Sequence, residues 1–192
     1  MSPITELIGG AKAYGWGSFA AVGDFESIAT VSLSSTPGTV SFTSIPNTYE
    51  HLQLRMLTRE TSNLYTNTAS LIFNFNSDGA GNYARHQVRG TGATVTAAAL
   101  TSTTNPAFGY HPGGGAAAGI FGATVVDILD YKNTNKYKTV RSLNGNDSNG
   151  AGTVGVFSDV WMNTAAITSI QIIADQSFTA NSRFALYGIK GA

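Results

Sequence analysis

The sequence predicts an all-β fold, a jelly-roll-like β-sandwich preceded by a short irregular N-terminal arm. Apolar residues seldom recur at three-four spacing, so helix signals are scarce. Alternation of period two recurs instead, in short segments bounded by Gly, Asn, Ser, Asp or Pro. So many short strands fit a sandwich better than an open sheet, which would leave long edges exposed.

Residues 1–22 read as an anchoring arm and 23–192 as the sandwich. In the arm, Ile4, Leu7 and Ile8 can form one helical turn before Gly9-Gly10, and Tyr14, Trp16 and Phe19 sit among small residues. Large apolar side chains on an arm need burial, either on their own domain or on a neighbouring protein. These six residues are the anchoring candidates.

In the sandwich, Ser27 to Leu33 alternates, Ser34 to Gly38 supplies turn residues, and Thr39 to Thr43 resumes the period, which reads as a hairpin. His51 to Leu57 places Leu52, Leu54 and Met56 on one face and Gln53 and Arg55 on the other. Ala69 to Phe75 and Asn82 to Gly90 read as a second hairpin around a turn rich in Asn, Ser, Asp and Gly.

Thr91 to Gly119 turns to Ala, Gly, Thr and Ser, with Pro106, Pro112 and Gly113-Gly114-Gly115, and reads as a long loop excursion whose glycines are a flexible linker. Ile120 to Tyr131 is the most apolar stretch, and its Thr124-Val125-Val126 and Ile128 suggest a central strand covered on both faces. Further strands are expected at Lys136 to Leu143, Gly152 to Met162, Ile167 to Ala174 and Arg183 to Ile189, with a solvent-facing loop tip at Asn144 to Gly150.

Composition narrows the function. The chain has 192 residues, enough for one domain with a core. Charged residues make up 11%, against roughly 25% in an average soluble domain. Eleven basic residues balance eleven acidic ones, so no long-range field draws nucleic acid or an anionic membrane. A near-neutral surface of hydroxyls and amides offers little repulsion between copies, so self-association is expected. No continuous apolar stretch marks a signal peptide or a membrane span, and the chain reads as cytoplasmic at synthesis.

Chemistry is sparse. There is no cysteine, hence no disulfide, thiolate zinc site or cysteine nucleophile. His51, His86 and His111 lack metal-motif spacing, and no G-x-S-x-G elbow occurs. Asn74 to Gly79 imitates the start of a calcium loop, but Arg85 stands where the bidentate Glu belongs, so an Asn-Asp turn is expected. Asp127 and Asp130 lie three apart, on opposite faces of a strand, and suit pairing with Lys132 or Arg141. No catalytic residue, metal or cofactor is expected.

Phe42-Thr43-Ser44-Ile45-Pro46-Asn47-Thr48-Tyr49-Glu50-His51-Leu52-Gln53-Leu54-Arg55 resembles a stretch found in structural proteins of tailed bacteriophages. Asp127 to Thr139 and the closing Phe184 to Gly191 are similar to segments of the same group. The resemblance runs from about Glu26 to the C-terminus and implies a virion component, either a tail-associated fibre or adaptor or a capsid decoration protein, without fixing which. Phage appendages in general imply a homotrimer touching other virion proteins through the arm.

Two other classes stay open. A host-surface carbohydrate-binding module would use Tyr65, Tyr110, Asn146 and Asn149 for stacking and hydrogen bonds. A polysaccharide hydrolase would need two carboxylates about 5 to 9.5 Å apart from among Asp78, Asp127, Asp130, Asp147, Asp159 and Asp175.

Overall fold

The structure is a computed structural model in which residues 24–190 are described; the arm's Ile4, Leu7, Ile8, Tyr14, Trp16 and Phe19 lie outside them. The described residues form twelve strands and no helix. They are β1 (Phe25–Ser32), β2 (Thr39–Phe42), β3 (His51–Thr58), β4 (Ala69–Phe75), β5 (Tyr83–Gly90) and β6 (Val95–Thr103). There follow β7 (Ala107–His111), β8 (Gly122–Leu129), β9 (Lys138–Asp147), β10 (Gly152–Trp161), β11 (Ile170–Ala174) and β12 (Arg183–Ile189). An eight-stranded sheet in the order β1-β12-β3-β8-β9-β10-β5-β6 faces a four-stranded sheet in the order β2-β11-β4-β7. The fold is all-β, an antiparallel sandwich.

The pairing is nested. β1 pairs with β12, β2 with β11, β3 with β8 and β4 with β7, so the outgoing chain is matched by the returning chain as in one long hairpin. That hairpin is rolled up, because β12 also pairs with β3 and β11 with β4. Two excursions, β5-β6 and β9-β10, widen the larger sheet beyond β8.

Rolling corrects two expectations. β1 and β2 are not a hairpin, nor are β4 and β5, since each pair is divided between the sheets. A period of two reveals which side of a strand is buried; it does not reveal the neighbour. Thr91 to Gly119 is no plain excursion either, for it holds β6 and β7. Its Gly113-Gly114-Gly115 run is fixed rather than a linker. The three amides donate to the carbonyls of Thr66, Ser62 and Tyr65 at 3.1, 2.7 and 3.1 Å. A Cβ on Gly113 would stand 2.3 Å from the Tyr65 carbonyl oxygen, so only glycine permits this approach.

The core lies where alternation puts it. Leu52, Leu54 and Met56 of β3, Val126 and Ile128 of β8, and Phe184 and Leu186 of β12 face inward. They meet Phe42, Leu71, Phe73, Phe75, Ile170 and Ile172 of the smaller sheet. Phe73 touches three rings, Phe75, Phe108 and Tyr83, with centroids 4.6, 5.2 and 5.7 Å away. Tyr49 is buried as well, and its hydroxyl donates to Glu26 at 3.0 Å. Its ring lies flat against Gly188, where a Cβ would stand 2.2 Å from the ring, so the Tyr-Gly-Ile at the end of β12 has a packing reason.

The acidic residues at the strand ends hold turns. Asp130 pairs with Lys136 and, at 3.4 Å, with His51, while Lys132 pairs with Glu50 at 3.0 Å. Neither Lys132 nor Arg141, the two partners expected for Asp127 and Asp130, pairs with Asp130, whose lysine partner is Lys136. Asp127 accepts from Gln53 at 2.8 Å, with Arg141 opposite it in the β8–β9 register. Asp78 accepts from the Trp161 indole at 2.7 Å, the Asn82 amide at 2.9 Å and the Ala80 N–H at 3.0 Å. Those bonds, Asn82 foremost, hold its carboxyl below the usual range. The loop is an Asn-Asp turn in form.

Candidate functional site

At one end of the sandwich three segments converge: the β3–β4 connection, the β5–β6 turn and the β9–β10 turn. Between them lies an open depression of about 440 Å³, lined among others by Leu64, Tyr65, Asn67, Thr91, Gly150 and Thr153. A second hollow of about 250 Å³ adjoins it at Gly92, Asn146 and Asp147. β9 runs on to Asp147, so only the last residues of the Asn144 to Gly150 segment make the turn, and Asn144 is buried. Asn146 donates to the Asn67 carbonyl at 3.1 Å, and Ser148 donates to the Asn67 side chain at 2.7 Å. The turn is closed by Asn149 and Gly150, both at positive φ, 57° and 96°.

The structure thus places Tyr65, Asn146 and Asn149 at one end. It does not bring Tyr110 there. Tyr110 belongs to β7 and lies inward beneath the larger sheet, its ring 5.4 Å from Phe157 and 5.0 Å from the Arg89 guanidinium. Its hydroxyl donates to Gln87 at 3.2 Å. The reading of Tyr110 as a loop platform is therefore corrected: the Pro and Gly residues that follow it suggested a loop, whereas pairing with Ser70 of β4 makes it a strand residue. The rim is hydroxyl and amide in character with one carboxylate, Asp147, too few for paired acid-base chemistry.

Buried ionisable groups occur deeper in the sandwich. Glu60 and His111 lie 3.6 Å apart with no exposure, and burial drives the imidazole down, toward its neutral form. His111 was expected in a loop and is instead the last residue of β7. Asp159 of β10 stands opposite Arg85 of β5 in register, and neither of its oxygens has a hydrogen-bond partner. Burial pushes its carboxyl up to about 8. Both groups are closed off from solvent and make no reaction centre as they stand. No cluster of three or more His, Cys, Asp or Glu suited to a metal is found among the described residues.

The feature that sequence reading missed is the outer face of the larger sheet. β8 is covered on one side only, against the expectation of two: Val125 is 37% exposed. Around it the register builds apolar rows. One runs Val125, Leu143, Val156, Val88, Ala97 across β8, β9, β10, β5 and β6. The next runs Leu57, Ala123, Gly145, Val154, Gly90, Val95. Leu143, Val154, Val156 and Val88 are all more than half exposed, at 57, 56, 55 and 52%. A shallow hollow of about 510 Å³ sits on this face beside Val88, Ala97, Ala99 and Val156. The missed signal was the two-sided apolar character itself, which marks a face to be covered without saying by which chain.

No family model, curated protein or solved structure matches the chain.

Proposed function

We propose that this protein is a non-enzymatic structural component of a bacteriophage particle, a tail-associated fibre or adaptor or a capsid decoration protein. The uncovered apolar face of the larger sheet is the observation that carries the reading. Two rows across six strands amount to roughly 400 Å² of flat surface at the usual strand and residue spacings, the size of the largest apolar patch on a typical monomer, which is often functional. The nested pairing is read as the wrapping of a jelly roll, whose two excursions enlarge this one face. Neighbouring particle proteins cover the face. The resemblance of the three quoted segments supplies the phage context, and the near-neutral surface lets copies crowd together.

The test is quantitative mass spectrometry of purified particles with heads and tails separated. Copies near those of the major capsid protein in heads identify a decoration protein, and a small number in tails identifies a fibre or adaptor. Absence from both fractions overturns the proposal.

A second reading, host-glycan binding, is favoured by one observation: the open end depression that holds Tyr65 among amides and hydroxyls. Glycan-array binding that disappears in Tyr65→Ala supports it, and silence on a broad array removes it.

A further inference from the structure

We infer that β6 is an assembly edge, and that it pairs antiparallel with β6 of a second copy across a twofold axis. The inference deepens the reading of the chain as a self-associating component and rests on it.

Every strand that ends a sheet exposes unpaired N–H and C=O groups, and proteins ordinarily blunt such edges. Three of the four edges here are blunted. β1 carries Glu26, paired with Lys190, and a bulge between Ser27 and Ala29. β2 is four residues long. β7 is five residues long and almost wholly buried beneath the widened sheet. β6 has none of these protections. It is nine residues long, Val-Thr-Ala-Ala-Ala-Leu-Thr-Ser-Thr, without charge or proline, exposed from Val95 to Ser102 and, among the described residues, hydrogen-bonded on one side only, to β5.

The chemistry of β6 suits a copy of itself. A twofold contact joins identical patches, so it needs a surface that complements itself. The ladder with β5 runs in even register from Val95 to Leu100 before it shifts. Centred on Ala98, an antiparallel pair sets Ala97 opposite Ala99 and Thr96 opposite Leu100, with no charge facing a charge and no bulky side chain facing another. The parity is right as well, because residues on the outer face meet residues on the outer face. The product is one sheet of both copies in which the apolar rows of each approach the join from either side.

The geometry also forbids a closed trimer through this edge, since a strand paired with itself is consumed by one partner. The homotrimer expected from phage appendages would require a different surface.

The experiment uses the full chain, whose lack of cysteine makes single-cysteine variants specific. Directly opposed residues have Cα atoms about 4.5 to 5.5 Å apart, within disulfide range. Under mild oxidation Ala98→Cys cross-links to a dimer, whereas Val95→Cys, about 20 Å from its own copy at the usual rise per residue, does not. In sedimentation equilibrium Ala98→Lys weakens the dimer at least about tenfold by opposing two lysines, and Ser41→Lys, on the exposed side of β2 in the smaller sheet, leaves it unchanged. A monomeric wild-type chain, a dimer indifferent to Ala98→Lys, or no cross-link at any of Ala97→Cys, Ala98→Cys and Ala99→Cys overturns the inference. A β6 dimer absent from particles would defeat the particle reading alone, and a monomer present in particles would defeat this one alone.

Discussion

The larger sheet contains two unlike halves. In β1, β12, β3 and β8 the inner face is apolar and meets an aromatic layer of the smaller sheet. In β9, β10 and β5 the inner face mixes Val140, Tyr83, Phe157 and Trp161 with the buried polar groups of Lys138, Ser142, Asn144, Gln87, Arg85 and Asp159. The outer faces reverse that order. The first half carries Gln53, Arg55, Arg183 and a Phe25-Tyr187 stack under Arg55, while the apolar rows start at its margin with Leu57, Ala123 and Val125 and run on through the second half beside Arg141, Ser158 and His86. The first half invests its apolar residues in its own fold, and the second turns many of them outward. A strand that faces water with valine while burying arginine has been shaped by something besides its own stability.

The largest effect is expected at Phe73 of the smaller sheet, which meets Tyr83 of the second half. Phe73→Ala removes a ring that touches three others and costs about 3 to 5 kcal/mol of unfolding free energy in urea titration. A loss below about 1 kcal/mol would mean that the two sheets do not share one dry core. Next comes Gly188→Ala in the first half. Its new methyl meets the Tyr49 ring, which is held from beneath by the hydroxyl bond to Glu26, and overpacking of this kind costs about 1 to 3 kcal/mol. Gly188→Ala together with Tyr49→Leu should recover much of the loss, and failure to recover would place the strain elsewhere.

The second half has its own signature in pH. Asp159 titrates near 4 when unfolded and at about 8 when folded, so the folded state holds the proton more tightly. Its stabilisation is complete below about pH 4 and is lost as pH rises toward 8, with a slope up to about 1.4 kcal/mol per pH unit. His111, held neutral by burial, opposes this trend in acid, so the comparison is made between wild type and Asp159→Asn, in which the His111 contribution cancels. The difference in unfolding free energy between the two proteins should shift toward the variant as pH rises from 4 to 8. A flat difference would show that Arg85 neutralises Asp159 in the fold.

These tests bear on what the sequence could convey. Which side of the strand is buried was legible in β3, because Leu52, Leu54 and Met56 alternate with Gln53 and Arg55, whereas β8, read as covered on both faces, is covered on one. Pairing was not legible, because hairpin β1-β2 and rolled β1-β12 ask for the same period. β6 was missed because its run of alanines is a weak strand signal, and an edge strand exposed on both faces shows no alternation to detect. Of the candidate site, Tyr65 and Asn149 were recognisable as turn or loop residues, whereas Asn146 lies near the end of β9 and Tyr110 followed its local Pro-Gly context into the wrong place.

The smallest expected effect on stability separates the two outer faces most directly. Leu143 is 57% exposed on the second half, with Val125 and Val156 as cross-strand neighbours and solvent above it. Leu143→Lys therefore changes unfolding free energy by no more than about 0.5 kcal/mol, the range of ordinary surface substitutions. If the face serves only the fold, particle incorporation also stays constant. If it is covered by neighbouring proteins, as proposed, a lysine placed in the middle of an uncharged row must be desolvated on assembly, and the copy number per purified particle falls while the isolated chain stays folded. Thr30→Lys, on the exposed outer side of β1 in the first half, supplies the control: a charge added there leaves both stability and incorporation near wild type.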